Sequence, residues 1–378
     1  MKSTAAVILL AIPLAVSMTA QPKRARDLGV PFDGTPAALN AITDIAGIEV
    51  GHTTLIEGDS VRTGVTVIWP RGKQSDDPTF GGWFAQNGNG EMTGTTWLEE
   101  SGFLAGAVFI TNTHSVGVVR DASIAWQVEH KRGPANGAGD DFWSLPVVAE
   151  TWDGYLNDIN GFHVKPEHVF KAMDSAASGR VAEGNVGGGT GMVCFGFKGG
   201  IGTSSRVAGA YRVAALVQCN CGAKRQLRIA GVPVGQELAG PATASLDTAR
   251  EDLGSIIIVV ATDAPLLPTQ LKRLARRATM GLARMGGSSG NGSGDIFIAF
   301  STANPNAAKP SGPAATISML TNDTLNPIFE ATVQAVEEAI VNTLVAAEDM
   351  TGISGHKITA LPHDGLEQVL KKYNRLAN

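Results

Sequence analysis

The sequence predicts an α/β layered sandwich, with mixed sheets covered by helices. Apolar runs of strand length and amphipathic helical stretches follow one another without strict alternation. Several of the strand-length runs are apolar throughout, as strands buried on both faces are. No self-similar period of roughly 20 to 50 residues is visible, so a solenoid is excluded. The composition supplies the core: of 378 residues, 43% are hydrophobic and only 17% charged, which also argues against disorder. That length allows one large domain or two ordinary ones.

The elements follow in order. "RARDLGVPFDGTPAALNAI" reads as an extended, turn-rich lead-in. "RTGVTVIWP" (Arg62 to Pro70) and "GAVFITNTHSVG" (Gly106 to Gly117) read as strands. "RDASIAWQVEHK" (Arg120 to Lys131) suits a helix with Ile124, Ala125 and Val128 on one face. "LPVVAETWDG" is a short strand running into a turn, and "PEHVFKAMDSAAS" a helix with proline in its first turn. The glycine-rich stretch from Glu183 to Arg206 breaks up strands and implies close approach of backbones or a ligand. "VAALVQCNCG" (Val213 to Gly222) is a strand, and the polar, aperiodic stretch from Gly235 to Gly254 is the best linker candidate. Beyond it come the strand "SIIIVVATDAPL", the helix "PTQLKRLARRATMGLARMG", the strand "GDIFIAFST" and the long helix "NPIFEATVQAVEEAIVNTLVAA". Leu271, Leu274, Ala275, Ala278 and Leu282 form the expected buried face of the first of these helices.

Charge and cysteine usage narrow the function. A formal net charge of -5 argues against a general nucleic-acid binder, and the basic "LKRLARR" reads as a solvated helix face. Lys2, the apolar "AAVILLAIPLAV" and the small or polar residues after it form the pattern of a cleavable secretory signal. The run is shorter than the roughly 20 residues of a bilayer span, so no membrane attachment is expected after its removal. Ser17 and Ala20 are both small enough to precede the cleavage, with Ala20 (a signal of residues 1–20) favoured. The expected location is periplasmic or secreted. The three cysteines, Cys194, Cys219 and Cys221, lack framework spacing and are expected as buried free thiols. They cannot supply four zinc ligands, and no HExxH occurs, so no metal is expected.

Two serines could carry chemistry. "GGSSG" satisfies G-x-S-x-G at Ser288, but that elbow needs a strand before and a helix after, and the reverse is expected here. Without a Walker A or a complete G-x-G-x-x-G, a nucleotide cofactor has no support. Ser255 differs: it opens a core strand directly after a linker that ends in Gly254. Glycine can hold backbone geometry that other residues avoid. A serine hydroxyl there can attack the preceding carbonyl, shift the acyl group from nitrogen to oxygen and let water release the ester. The new α-amine, with an unperturbed pKa of roughly 7.7–8.0, is a base suited to neutral pH.

"GSIIIVVATDAPLLPTQLKRLARRA", with "NGSGDIFIAFST", "VQCNCG", "NTHSVG", "AETWDG" and "GNVGGGTGM" in the same order, resembles the β-peptidyl aminopeptidases and the L-aminopeptidase/D-esterase-amidase. These form one family of self-processing N-terminal serine hydrolases, and the resemblance runs from about Arg24 to the C-terminal helix. It implies a four-layer αββα sandwich similar to the N-terminal nucleophile hydrolases but connected differently. It also implies cleavage between Gly254 and Ser255 into an α chain (21–254) and a β chain (255–378) of one catalytic domain, no cofactor, and a homotetramer of such αβ pairs.

By the same resemblance Ser255 matches the nucleophile, and Ser293 and Asp295 in "GSGD" match the serine and acid around it. Their i, i+2 spacing in a strand puts both on one face. Asn220 in "VQCNCG" matches an oxyanion-hole amide, a group worth about 10²–10³ in rate. Glu150 in "AETWDG" matches the carboxylate that holds the substrate's free ammonium, and Trp152 walls that pocket. Some relatives have tyrosine at the latter position; tryptophan lacks the hydroxyl, which leans the reading to the β-peptidyl branch. Cys219 and Cys221 stand where alanine and an aromatic are frequent. A Ser255–His114–Asp263 triad is declined, because the family uses the N-terminal amine.

The expected function is a periplasmic aminopeptidase acting on short peptides or amides with N-terminal β-residues such as β-alanine. An L-aminopeptidase with D-amino-ester and amidase activity is the alternative within enzymes. The related arginine-biosynthesis acetyltransferases use threonine as nucleophile, so Ser255 and the signal count against them. A non-catalytic exported binding protein with the same fold is the alternative outside catalysis.

Overall fold

Ten extended segments pair into two sheets that face each other across an apolar core. In the computed structural model of the chain, the described residues are 23–132, 142–238, 254–308 and 313–377. The expected signal at 1–20 and most of the expected linker lie outside them.

The first sheet has the order β1 (Glu49–Glu57), β2 (Val61–Trp69), β5 (Val108–Asn112), β6 (Val147–Thr151). The second has six strands: β4 (Phe103–Leu104), β3 (Thr79–Gly88), β12 (Gly294–Ser301), β11 (Ser255–Thr262), β10 (Tyr211–Asn220) and β9 (Gly200–Ala208). A small hairpin, β7 (Val193–Cys194) with β8 (Phe197–Lys198), flanks the second sheet. Two short helices, α1 (Thr95–Ser101) and α4 (Val234–Glu237), lie in connections.

Side-chain alternation builds the layers. On β11, Ile257, Val259 and Ala261 enter the core between the sheets. Ile256, Ile258 and Val260 enter the core shared with helices α5 (Pro268–Arg284) and α6 (Asn326–Ala346). On the other side, α2 (Val116–Glu129) and α3 (Pro166–Ser175) cover the first sheet through Val119, Trp126, Val169 and Met173. Strands β2 and β11 are buried along their whole length, and a strand without a solvent face can carry an apolar run such as Ile256–Ala261 of β11. The result is the expected four-layer αββα sandwich.

Two expectations change, and two strands were not foreseen. Helix α2 begins four residues early and buries Val116, Val119, Ala122, Ser123 and Trp126, while Val128 is 57% exposed. The large indole, not the aliphatic Ile124–Val128 pair, sets the buried side. The glycine-rich stretch is not interrupted throughout: from Gly200 onward it is the regular strand β9, paired with β10 from Gly200↔Cys219. Strands β1 and β3 arise from mixed sequences, "EVGHTTLIE" and "TFGGWFAQNG", whose polar and glycine positions hide the strand pattern. The predicted face of α5 is buried as expected at all five positions.

Candidate active site

Ser255 is the first residue of β11, a central strand of the larger sheet, and stands opposite Asn220, the last residue of β10. Its Oγ accepts a hydrogen bond of 3.0 Å from the Gly294 N–H at the start of the parallel neighbour β12. Ser255 is 6% exposed and Asn220 5%. Alternation puts both on the side of Val259 and Leu216, facing the first sheet.

Gly254 has no room for a side chain. A Cβ there would lie 2.6 Å from the Cys221 Cα and 2.9 Å from the Gly222 nitrogen. Close approach, not a left-handed backbone, is what requires glycine at this position.

Ser293 and Asp295 do share a face, with the Ser293 hydroxyl donating to Asp295 Oδ2 at 3.1 Å. They belong to the helix side of the sheet, where they line a small recess with Gly254, Cys221 and Leu282. The serine hydroxyl and the carboxylate therefore leave the sheet on opposite faces, with the Ser255 nitrogen in the sheet between them. Asp295 Oδ1 is buried and accepts no hydrogen bond. Burial pushes the Asp295 carboxyl above its ordinary range, against the pull of its Ser289 and Ser293 hydrogen bonds.

Glu150 comes from the opposite sheet, on β6, and is 4% exposed. One carboxylate oxygen accepts the Glu91 N–H at 2.9 Å, and the other accepts the Thr113 hydroxyl. Burial raises its pKa, with these hydrogen bonds opposing the rise. Gly90 links it to the serine side: a Cβ on Gly90 would lie 3.1 Å from the Gly294 Cα and 3.2 Å from Glu150 Oε1. One backbone thickness thus separates the carboxylate from the residue whose N–H holds Ser255.

Trp152 is half-buried and packs against the cluster of Tyr155, Leu156, Met350 and Ile358, as Val193 also does. Val193 in turn donates its N–H to Asn220 Oδ1 at 2.9 Å. Val193 therefore ties the Asn220 amide to the cluster against which the indole packs. Beneath Trp152, the fully buried Asp153 is pushed by burial to a pKa of about 7, against hydrogen bonds from Thr63, Asn157 and Asn112.

The cysteines depart from expectation. Cys194 and Cys219 form a disulfide, and Cys221 is the buried free thiol, with its Sγ 3.5 Å from that of Cys219. The β7–β8 hairpin folds Cys194 back against β10, a proximity that a separation of 25 residues does not reveal.

His114 stacks on Phe162 beside Thr113, and its charge favours the ionised form of Glu150. Asp263 pairs with Arg212 past the far end of β11, about 26 Å of strand from Ser255, so no Ser255–His114–Asp263 triad exists. Ser288 follows α5 and precedes β12, the reverse of an elbow, and accepts from Gln226 at 3.0 Å. The sequence reading missed Gly294, Gly90, Thr113 and Val193. Gly294 and Val193 act through backbone N–H groups and Gly90 through its lack of a side chain, none of which carries a residue-type signature. Asn87, also missed, clamps the loop before β12 by donating to the carbonyls of Gly290, Asn291 and Ser293.

The arrangement can hold a cation at one buried carboxylate and present a hydroxyl, an amide and a backbone N–H nearby. Among known proteins, the chain is 55% identical to the beta-peptidyl aminopeptidase BapA of Sphingosinicella microcystinivorans over 392 residues, covering 98% of this chain and 97% of that one. It is 47% identical to BapA of Sphingosinicella xenopeptidilytica, covering 98% and 96%. The fold matches the L-aminopeptidase D-Ala-esterase/amidase of Ochrobactrum anthropi, described as a variant of the Ntn hydrolase fold. That match has a TM-score of 0.86 at 48% identity and covers 94% of this chain and 99% of that one. A beta-aminopeptidase of a Burkholderia species matches with a TM-score of 0.84 at 47% identity, covering 93% and 99%. The profile of peptidase family S58 spans residues 40–358, and with these likenesses it establishes that the chain belongs to that family and is an aminopeptidase.

Proposed function

We propose that this chain is an exported aminopeptidase that cuts itself between Gly254 and Ser255 and then removes N-terminal β-residues from short peptides and amides. The observation that carries this is the placement of Ser255: first in a core strand, opposite Asn220, its hydroxyl held by Gly294 and its preceding residue packed against β10.

In the processing step Ser255 Oγ attacks the Gly254 carbonyl carbon. The Gly254–Ser255 C–N bond breaks, the hydroxyl proton passes to the departing nitrogen, and an ester joins Gly254 to Ser255 Oγ. Water adds to the ester and releases the Gly254 carboxylate with the free Ser255 amine and hydroxyl. The liberated ammonium gives the unpartnered Asp295 Oδ1 a countercharge.

In turnover Glu150 binds the substrate ammonium, and the Ser255 amine takes the proton as Oγ attacks the scissile carbonyl. Asn220 donates to the oxyanion, and the amine returns the proton to the leaving group. Water then repeats the sequence on the acyl-enzyme. A carboxylate that must hold the free amine restricts the enzyme to the first residue.

The β-residue preference rests on the two BapA likenesses and on Trp152, which fills the pocket wall without a hydroxyl. An L-residue preference is the second reading, favoured by the Ochrobactrum likeness. Relative rates on β-alanyl and L-alanyl p-nitroanilide separate them. Export rests on the pattern at residues 1–20, and among the described residues no helix is long and apolar enough to cross a membrane. A homotetramer of αβ pairs is part of the same proposal.

Intact-mass analysis tests the core of it. Two chains meeting at Gly254/Ser255 are expected, with a single uncleaved and inactive chain for Ser255→Ala. A wild-type protein that stays in one piece yet hydrolyses β-alanyl p-nitroanilide would overturn self-processing.

A further inference from the structure

Asn220 offers two groups, and one is already committed: its Oδ1 accepts the Val193 N–H at 2.9 Å. That leaves Nδ2 as the donor that can serve an oxyanion, and it fixes which way the amide is turned. The direction of Nδ2 is therefore set by where Val193 sits.

Val193 is held against β10 by a covalent bond beside the hydrogen bond. Cys194, its chain neighbour, is joined to Cys219, the neighbour of Asn220. The disulfide and the Val193–Asn220 hydrogen bond thus close one small ring. On the far side of Asn220, the Phe195 N–H donates to the Cys221 carbonyl at 2.6 Å. The hairpin consequently grips β10 immediately before, at and after the amide. Its outer strand is anchored by the fully buried Lys198, whose ammonium donates to the carbonyls of Met192 at 2.9 Å and Gly199 at 2.7 Å.

We infer that the Cys194–Cys219 disulfide is a positioning device for the oxyanion-stabilising amide, setting the orientation of Asn220 through Val193. The inference rests on the role proposed above for Asn220. Cys194 and Cys219 act through Asn220 and touch no reacting atom. Cys221 lies outside the ring and is dispensable to it.

The test uses the full-length processed enzyme and has three parts. Thiol counting after denaturation without reductant should find one reactive thiol, rising to three after reduction. Cys194→Ala, Cys219→Ala and the double variant should each lower kcat on β-alanyl p-nitroanilide by roughly tenfold or more, with KM nearly unchanged. In an Asn220→Ala background, removing the disulfide should produce no further loss, because the group it positions is gone.

Three thiols in the native enzyme, or unchanged kcat in the double variant, would overturn the inference. A loss of equal size in the Asn220→Ala background would also do so, by marking the effect as general destabilisation. If Asn220→Ala itself leaves kcat intact, the oxyanion role fails separately.

Discussion

Glu150 is a carboxylate in a setting that disfavours charge, and in the role proposed for it a bound substrate ammonium would supply the missing countercharge. Ionisation and substrate binding are therefore coupled at this one residue. Burial raises its pKa, so as the pH falls Glu150 gains its proton before an ordinary surface carboxylate would. The ammonium then loses its partner. We expect kcat/KM to fall on the acid side from above the ordinary carboxylate range, with kcat at saturation moving less. Glu150→Gln should abolish that limb and lower kcat/KM at neutral pH by about 10²–10³. An unchanged acid limb in the variant would assign the titration elsewhere; Asp295, also raised by burial, would act through kcat instead. The residues themselves were unequal in legibility. Ser255 stands out because polarity changes abruptly at its position, whereas Glu150 is singled out only by the family resemblance. Gly294 and Gly90 contribute a backbone N–H and an absence of bulk, which no residue pattern records.

At the scale of elements, the junction between linker and strand does the sorting. Gly254 must lie against Cys221 and Gly222 if Ser255 is to be in register with Asn220. A methyl group there meets backbone that cannot move aside, so in the proposed self-processing Gly254→Ala should push the carbonyl under attack out of line with Ser255 Oγ. Processing is expected to slow by about tenfold or more, since attack depends steeply on alignment. Once cleaved, residue 254 is no longer bonded to Ser255, and kcat per processed site should match wild type. A mass time course followed by active-site-normalised rates checks both parts. Normal processing by Gly254→Ala would show that the packing is incidental. Strands β11 and β12 and helices α5 and α6 were legible because long apolar runs and a clean helical face leave few alternatives. Strands β1 and β3 were not, since their glycines and alternating polar residues imitate loops. The disulfide was invisible because chain folding, not spacing, brings Cys194 to Cys219.

Across the whole molecule, the lead-in segment ties strand β9 to helix α6, which lie on either side of Ser255 in the chain. Glu338, 1% exposed in the middle of α6, accepts from Arg26 at 2.7 Å, Arg206 at 2.7 Å and Asn40 at 2.6 Å. The Ala25 N–H adds a hydrogen bond of 3.0 Å to Asn342 one turn further along. Burial pushes the Glu338 carboxyl up, but the Arg26 hydrogen bonds and the Arg206 charge outweigh it and hold its pKa below the ordinary value. Its contribution to stability is accordingly present above the ordinary carboxylate range and lost as the pH falls through the lowered pKa. Glu338→Ala leaves the fully buried Arg206 guanidinium without its carboxylate, which should cost about 3–5 kcal/mol in denaturant titrations near neutral pH. Arg26→Ala should cost much less, because that side chain is one-third exposed and its loss leaves Glu338 still paired with Arg206. The difference between Glu338→Ala and wild type should shrink in acid. Arg206 lies six residues along β9 from the Gly200 that pairs with Cys219, about 20 Å from the amide of Asn220. The folded fraction of either variant should therefore keep its kcat. Equal destabilisation by the two substitutions would show that exposure does not rank these charges. A specific loss of kcat would show that the ion network reaches the active site through β9.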